Sequence, residues 1–500
     1  MGGALRLPHR GKACRLTRAP VAVPPSISPP EGVLMAHPTV LPCLSVGERL
    51  DRLPVTPKHW RIFWLLTAGL FIDSTEIFLG GGVAAALLRD GWSTLELNAA
   101  FHSFTFLGMA IGALGCGILS DRYGRRFAFQ FTLLIFGVAS FAAAAAPSMG
   151  WIIAFRFIMG VGLGGELVVT YSTLTEFIPA RLRGRFLALL VIFGGSTLFV
   201  ASLMSYLVIP SFGWRPCFAA IGVAALLLWR VRSVMPESPR WLAENGRRAE
   251  AEAVTRDLEG PHYQPCVPAF ELHAAQGARA SFADLFRHGM AARTLATASI
   301  SVAVNIALYS FTNWIPTFLV KQGSSITFSL GLSTLMTAGA PVGAAVAFFI
   351  SDRFGRKPLI ITGLILAALA GALYPTARSV EAAVTYGFLL NGLLYFLVAV
   401  GVTGYSAEVF PTACRLRGVG FVSMSARVAA MLCPYAVVPL FQWGGVAAVI
   451  GVVAAILFVV PVLVWRWCVE PTGLSLEVAA STTTDAALKP GLALAEDRIG

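Results

Sequence analysis

Gly117-Ile118-Leu119-Ser120-Asp121-Arg122-Tyr123-Gly124-Arg125-Arg126 is a tight basic turn caught between two long apolar runs. An apolar helix ending near Ser120 leaves its last carbonyls without partners, and Arg122, Arg125 and Arg126 put cations beside them. Asp121 is placed to cap the next helix, while Gly117 and Gly124 let backbones approach and turn. The turn recurs as Ser351-Asp352-Arg353-Phe354-Gly355-Arg356-Lys357, its aspartate 352 − 121 = 231 residues after the first. Glu176, Pro179 and Arg183 return as Glu408, Pro411 and Arg415, at 408 − 176 = 232. Two independent motifs at one offset mean two homologous halves. Phe348 stands where the first copy has Gly117, so the second turn lacks one of the two glycines.

Of the 500 residues, 56% are hydrophobic and only 13% charged, too apolar for a soluble chain to cover its own surface. The net charge of +12 does not point to nucleic acid, because the arginines sit in short loops between apolar runs rather than on one stripe. Runs long enough to span a bilayer fall near 61–86, 99–120, 127–147, 151–175, 186–209 and 214–233, and again near 293–319, 327–350, 358–377, 382–405, 418–440 and 444–466. The fold expected is an all-α membrane protein of twelve transmembrane helices in two six-helix bundles, 58–233 and 291–467. A polar loop, 234–290, joins them, with a disordered tail at 1–57, for which Met35 is a candidate start, and a second tail at 468–500. Alternate loops hold the arginines, so the positive-inside rule puts both termini in the cytoplasm and the chain in the inner membrane. No cleavable signal peptide is evident. The eight cysteines form no Cys-x-x-Cys pair, so no metal site, disulfide framework or cofactor is expected.

An ionised side chain at the centre of a membrane helix costs about 2.5–3.5 kcal/mol on insertion scales, so each one marks a functional candidate. Asp73 and Glu76 lie three apart on one face of the first segment, the fourth carries Arg156 and Glu166, and the second carries His102. Helical rise places Glu76 and Arg156 at compatible depths, either as a static ion pair or as a switch. Asp73 and Glu166 lie deeper, with no evident cation. His102 is a candidate for titration. Arg427 falls near the midplane of the eleventh segment, where its planar fork suits a carboxylate; pairing with Glu166 is the other reading. Asn305, Tyr309 and Trp314 of segment seven, with Asn391 and Tyr395 of segment ten, are candidates to line a cavity for a flat polar molecule, or simply to pack. The spacings Gly108-x-x-x-Gly112 and Gly160-x-x-x-Gly164, with Gly339 and Gly343, suit close helix packing.

The two turns, Arg156-Phe157-x-x-Gly160-x-Gly162-x-Gly164-Gly165-Glu166, Pro236-Glu237-Ser238-Pro239-Arg240 and Tyr405-Ser406-Ala407-Glu408-Val409-Phe410-Pro411 resemble the major facilitator superfamily in its sugar-porter-related branch, from Glu48 to about Glu470. Hexose porters of that branch carry Gln-Gln-x-x-Gly in segment seven; Val302-Ala303-Val304-Asn305 stands here instead. Asp73-x-x-Glu76, Gly165-Glu166, Trp314-Ile315-Pro316-Thr317 and Arg427 resemble the bacterial niacin and aromatic-acid proton symporters. The resemblance implies a monomeric carrier, not an enzyme, with protons, a small aromatic monocarboxylate and the bilayer as its partners. It implies proton coupling through Asp73, Glu76, Arg156 and Glu166. It also implies conformational gating through Gly117, Asp121, Arg122, Gly124, Arg125, Arg126, Glu176, Arg183, Asp352, Arg353, Gly355, Arg356, Glu408 and Arg415. Organic-cation or sugar transport, or nutrient sensing without transport, are the alternatives.

Overall fold

The computed structural model describes residues 45–260, 285–286, 290–410 and 415–470. Its first half runs through α2 (Pro57–Arg89), α3 (Leu95–Tyr123), α4 (Arg125–Ala144), α5 (Met149–Phe177), α6 (Arg183–Phe212) and α7 (Arg215–Arg232). A short helix, α1 (Val46–Arg52), precedes them, and α8 (Pro239–Glu244) and α9 (Arg248–Glu259) follow. The second half has α10 (Met290–Thr312), α11 (Ile315–Lys321), α12 (Ile326–Thr337), α13 (Gly339–Phe354), α14 (Arg356–Leu373), α15 (Val380–Leu397), α16 (Ser406–Glu408) and α17 (Arg415–Trp467).

Ten helical runs among the described residues are long and apolar enough to cross a membrane. One of them, in α17, is two helices joined across Gly444 and the positive φ of Gly445. The eighteen-residue α7, about 27 Å long at 1.5 Å per residue, packs beside α4 and completes twelve. Segment seven is broken: α10 and α11 meet at Asn313 and Trp314. Segment eight bends between α12 and α13 at Ala338, and segment ten ends in a π-helical stretch, Val398–Tyr405.

Small residues let the helices meet at the backbone. A methyl group built on Gly108, Gly112 or Gly164 would overlap main-chain atoms where α3 crosses α5, and one on Gly339 or Gly343 would overlap the carbonyls of Phe388 and Gly392 on α15. Gly117 is different: nothing described lies within 4 Å of the position its Cβ would take, so it serves no close approach here.

The N-terminal tail is ordered earlier than expected. Ser45 and Glu48 form a capping box that starts α1, and the Arg49 guanidinium reaches Glu252 and Glu259 of α9 at 2.6 Å each. Asp51 accepts from Arg183 and Arg240, both at 2.7 Å. Residues 45–53 are therefore a clamp on the first half, not a disordered tail; the candidate start Met35 and residues 471–500 lie outside the described residues.

Candidate functional site

The two basic turns are built alike. Gly124 and Gly355 take φ of 99° and 79°, values that suit glycine, and each passes straight into the next helix. Arg125 pairs with Glu176 at 2.7 Å and with Asp121 at 2.8 Å; its counterpart Arg356 pairs with Glu408 at 2.9 Å. Asp121 does not cap α4. The main-chain N–H of Arg125 donates to Glu237 at 2.8 Å, and that of Arg126 to the same carboxylate at 3.2 Å. Glu470 does this for α14, accepting from the N–H groups of Arg356 and Lys357 at 2.9 and 2.8 Å. The caps thus repeat at 470 − 237 = 233, a third copy of the same period. Arg126 also donates to the Ser233 carbonyl at 2.6 Å, Arg122 lies over the Tyr123 ring, and Arg353 is exposed. The side chains of Asp352 and Arg415 lie outside those described.

A cavity of about 260 Å³ lies between the halves, lined from α2 by Leu70, Ser74, Ile77 and Phe78, and from α10 by Asn305 and Tyr309. Arg427 of α17 and Tyr395 of α15 also line it. Among the described residues no carboxylate is paired with Arg427, and the reading in which Glu166 holds it is excluded by the partner described below. Phe106 stands 4.5 Å from the Tyr309 ring, centroid to centroid, and Phe78 lies 6.2 Å from it and 6.3 Å from Tyr395. The result is one cation among aromatic walls. Two expected lining residues are elsewhere. Trp314 is buried against His102 and Phe318, with 2% of its surface exposed, and Asn391 accepts from Thr312 at 3.1 Å while donating to the Gly387 carbonyl.

Beside the cavity stripe of α2, Asp73 and Glu76 turn into the first bundle, where α5 adds Glu166. Glu76 pairs with Arg156, which also lies 4.2 Å above the Phe101 ring. Glu166 is not without a cation, as its sequence suggested: it pairs with Arg232 of α7 and accepts from Thr132 at 3.0 Å. Arg232 in turn donates to the Leu65 and Leu66 carbonyls and lies over Phe129. Asp73 is 2% exposed, and neither carboxyl oxygen has a hydrogen-bond partner. His102 is equally buried, between Phe101 and Trp314. Arg232 escaped sequence reading because it sits beside Arg230 at the end of a segment, where arginines ordinarily meet water.

Twelve membrane helices in two repeated bundles, with a small cavity where the bundles meet, define a carrier rather than an enzyme or a channel-forming barrel. The family model for sugar (and other) transporters matches residues 86–481, and the chain belongs to that family, within the major facilitator superfamily. It is 36% identical to the inner membrane metabolite transport protein YdjE of Escherichia coli over 86% of this chain and 97% of that one. It is 32% identical to the niacin transporter NiaP of Acinetobacter baylyi, over 79% of this chain and 90% of that one. Among solved structures, a partially occluded inward-open conformation of the Escherichia coli xylose transporter XylE aligns with a TM-score of 0.69 at 17% identity, covering 84% of this chain and all of that one. The protein is thus a multi-pass membrane transporter of small molecules.

Proposed function

We propose that the protein takes up a small aromatic monocarboxylate of the nicotinate kind across the inner membrane, driven by protons and by alternating access of the two halves. The carrying observation is Arg427, a guanidinium without a carboxylate partner among the described residues, facing a cavity walled by Phe78, Phe106, Tyr309 and Tyr395. A carboxylate can take the fork bidentately while its ring lies among the aromatic faces. A volume near the lower end of the usual range of about 300–1,000 Å³ suits a one-ring ligand. The niacin transporter among the relatives fits this reading. Organic cations fit less well, because neither Asp73 nor Glu166 is among the residues lining the cavity and Arg427 would repel them.

Proton coupling is assigned to Asp73, Glu76, Arg156 and Glu166, all buried in the first bundle. The arginine-rich turns mark the cytoplasmic side, with both termini there, and the chain acts as a monomer. The test is counterflow of labelled nicotinate in proteoliposomes against a panel of benzoates, sugars and amines. Exchange with nicotinate or benzoates supports the reading; exchange with amines or sugars alone rejects it.

A further inference from the structure

The buried charges of the first bundle do not balance in pairs. Two arginines, Arg156 and Arg232, face three carboxyls, Glu76, Asp73 and Glu166, and both arginines are already paired. They form a ladder down one face of α2. Gly80 stands where a methyl would come within 2.5 Å of Arg156 Nη2, and Glu76 and Asp73 follow at turn spacing. Gly69, four residues further, stands where a methyl would lie 2.6 Å from Glu166 Oε1 and 2.7 Å from Arg232 Cζ. From Glu76 to Gly69 is seven residues, about 10 Å of helical rise. The cavity residues Leu70 and Ile77 stand three before and four after Asp73, so the ladder adjoins the cavity stripe of α2, with Ser74 and Phe78 further round the helix.

We infer that the proton travels inside the first bundle, along Glu76, Asp73 and Glu166, beside the substrate cavity and not through it. This rests on the proton coupling proposed above and adds to it a route, a resting place and a further coupling residue, Arg232. In the conformation described, the proton sits on Asp73. A lone carboxylate there, with neither oxygen hydrogen-bonded and both neighbouring cations engaged, would be an uncompensated buried charge. One proton makes the cluster neutral wherever it sits, since two carboxylates then remain for two arginines. On Glu76 it frees Arg156 to turn to Asp73; on Glu166 it frees Arg232 to do the same. The O–H bond broken on one carboxyl is matched by one formed on the next, and nothing else is consumed. Glu166, held by Arg232 near the end of α7 beside the basic turns, is the last carboxyl of the route, and its O–H bond breaks as a water on that side takes the proton.

The charged groups acting on Asp73 are Glu76 on α2, Glu166 on α5 and Arg232 on α7; Arg156 on α5 stands beside Glu76, with His102 of α3 near Arg156 and Cys116 of α3 near Glu166. Thr132 of α4 adds a hydroxyl, and α6 carries Arg183, Arg185 and Tyr206 only towards its ends.

Infrared spectroscopy of the purified full chain near neutral pH reads the resting place without any substrate. The wild type should show a protonated carboxylic acid C=O band that carbon-13 labelling of aspartate shifts and labelling of glutamate does not, and that Asp73→Asn removes. A band that survives Asp73→Asn, or is absent from the wild type, overturns the inference. In proteoliposomes, Arg232→Gln should lower the ratio of pH-driven accumulation to counterflow at least tenfold, with Arg232→Lys recovering part of it. Because Arg232→Gln leaves Glu166 buried without its cation, the double variant Arg232→Gln/Glu166→Gln keeps the site neutral if the single one fails to fold, and should show the same loss. A wild-type ratio in a folded variant overturns the route. Absence of nicotinate counterflow in the wild type would instead reject the proposed substrate and leave the infrared result standing.

Discussion

Arg427 shows what a single residue type contributes. A guanidinium can hold both oxygens of a carboxylate, whereas an ammonium keeps the charge and loses the fork. Arg427→Lys should therefore weaken nicotinate binding about tenfold, near the 1.4 kcal/mol expected from losing one charged hydrogen bond, read as competition in counterflow. The uncharged amide of the same ring should compete poorly with the wild type; equal competition by acid and amide would remove Arg427 from substrate recognition. Glu76 makes a different prediction, because glutamine resembles its protonated form at all times. Glu76→Gln should lose accumulation against a gradient while the ratio of exchange to accumulation rises, measured with a lumenal pH dye alongside labelled substrate. Sequence reading reached the Glu76–Arg156 pair because helical rise sets depth, and depth matched across two segments. It missed Arg232, and it placed Trp314 and Asn391 on the cavity, because rotation about a helix axis is fixed by packing that spacing alone does not define.

Helix ends tell a related story one level up. The N-cap of α4 is Gly124, which has no side chain to cap it, and the cap on the Arg125 N–H arrives from 112 residues later as Glu237. Such long-range capping is invisible to local patterns, which is why Asp121 was the natural candidate. Removing it should cost about as much as losing an N-cap, roughly 0.5–2 kcal/mol. Glu237→Ala and Glu470→Ala should each lower the melting temperature of the detergent-purified protein, and the double variant should sum the two, because the caps serve different halves. A double variant no less stable than either single one would show that the two turns are not independent elements. Apolar run length foretold all twelve spans, whereas the breaks at Asn313 and Ala338 are marked only by prolines three residues on, Pro316 and Pro341, and Val398–Tyr405 carries neither proline nor charge.

At the scale of the molecule, the repeat was legible because two charged motifs, at Asp121 and Asp352 and at Glu176 and Glu408, keep one period, but which end of the central cavity is shut was not. On α2 the cavity residues end at Phe78, and one turn beyond, away from the basic turns, Gly81 meets the main chain of Asn313 from the other half. A methyl on Gly81 would come within 2.9 Å of the Asn313 carbonyl oxygen and 3.0 Å of its Cα, backbone atoms that cannot step aside as a flexible side chain would. Nearby, Gln442 donates to Glu96 across the same seam at 3.0 Å, but in an exposed position where such a contact is worth little against water. Closure at that end should therefore depend on the absence of a side chain at 81 far more than on the polar contact. Gly81→Val should hold the halves apart there, shifting the population towards the state open away from the basic turns. Cysteines placed on that side of the cavity should then react faster with a membrane-impermeant maleimide, and substrate exchange should slow, while Gln442→Ala leaves both close to wild type. If Gly81→Val leaves labelling unchanged and Gln442→Ala raises it, the seam is held by its polar contact, and the close approach of α2 to the break between α10 and α11 is not what shuts the cavity.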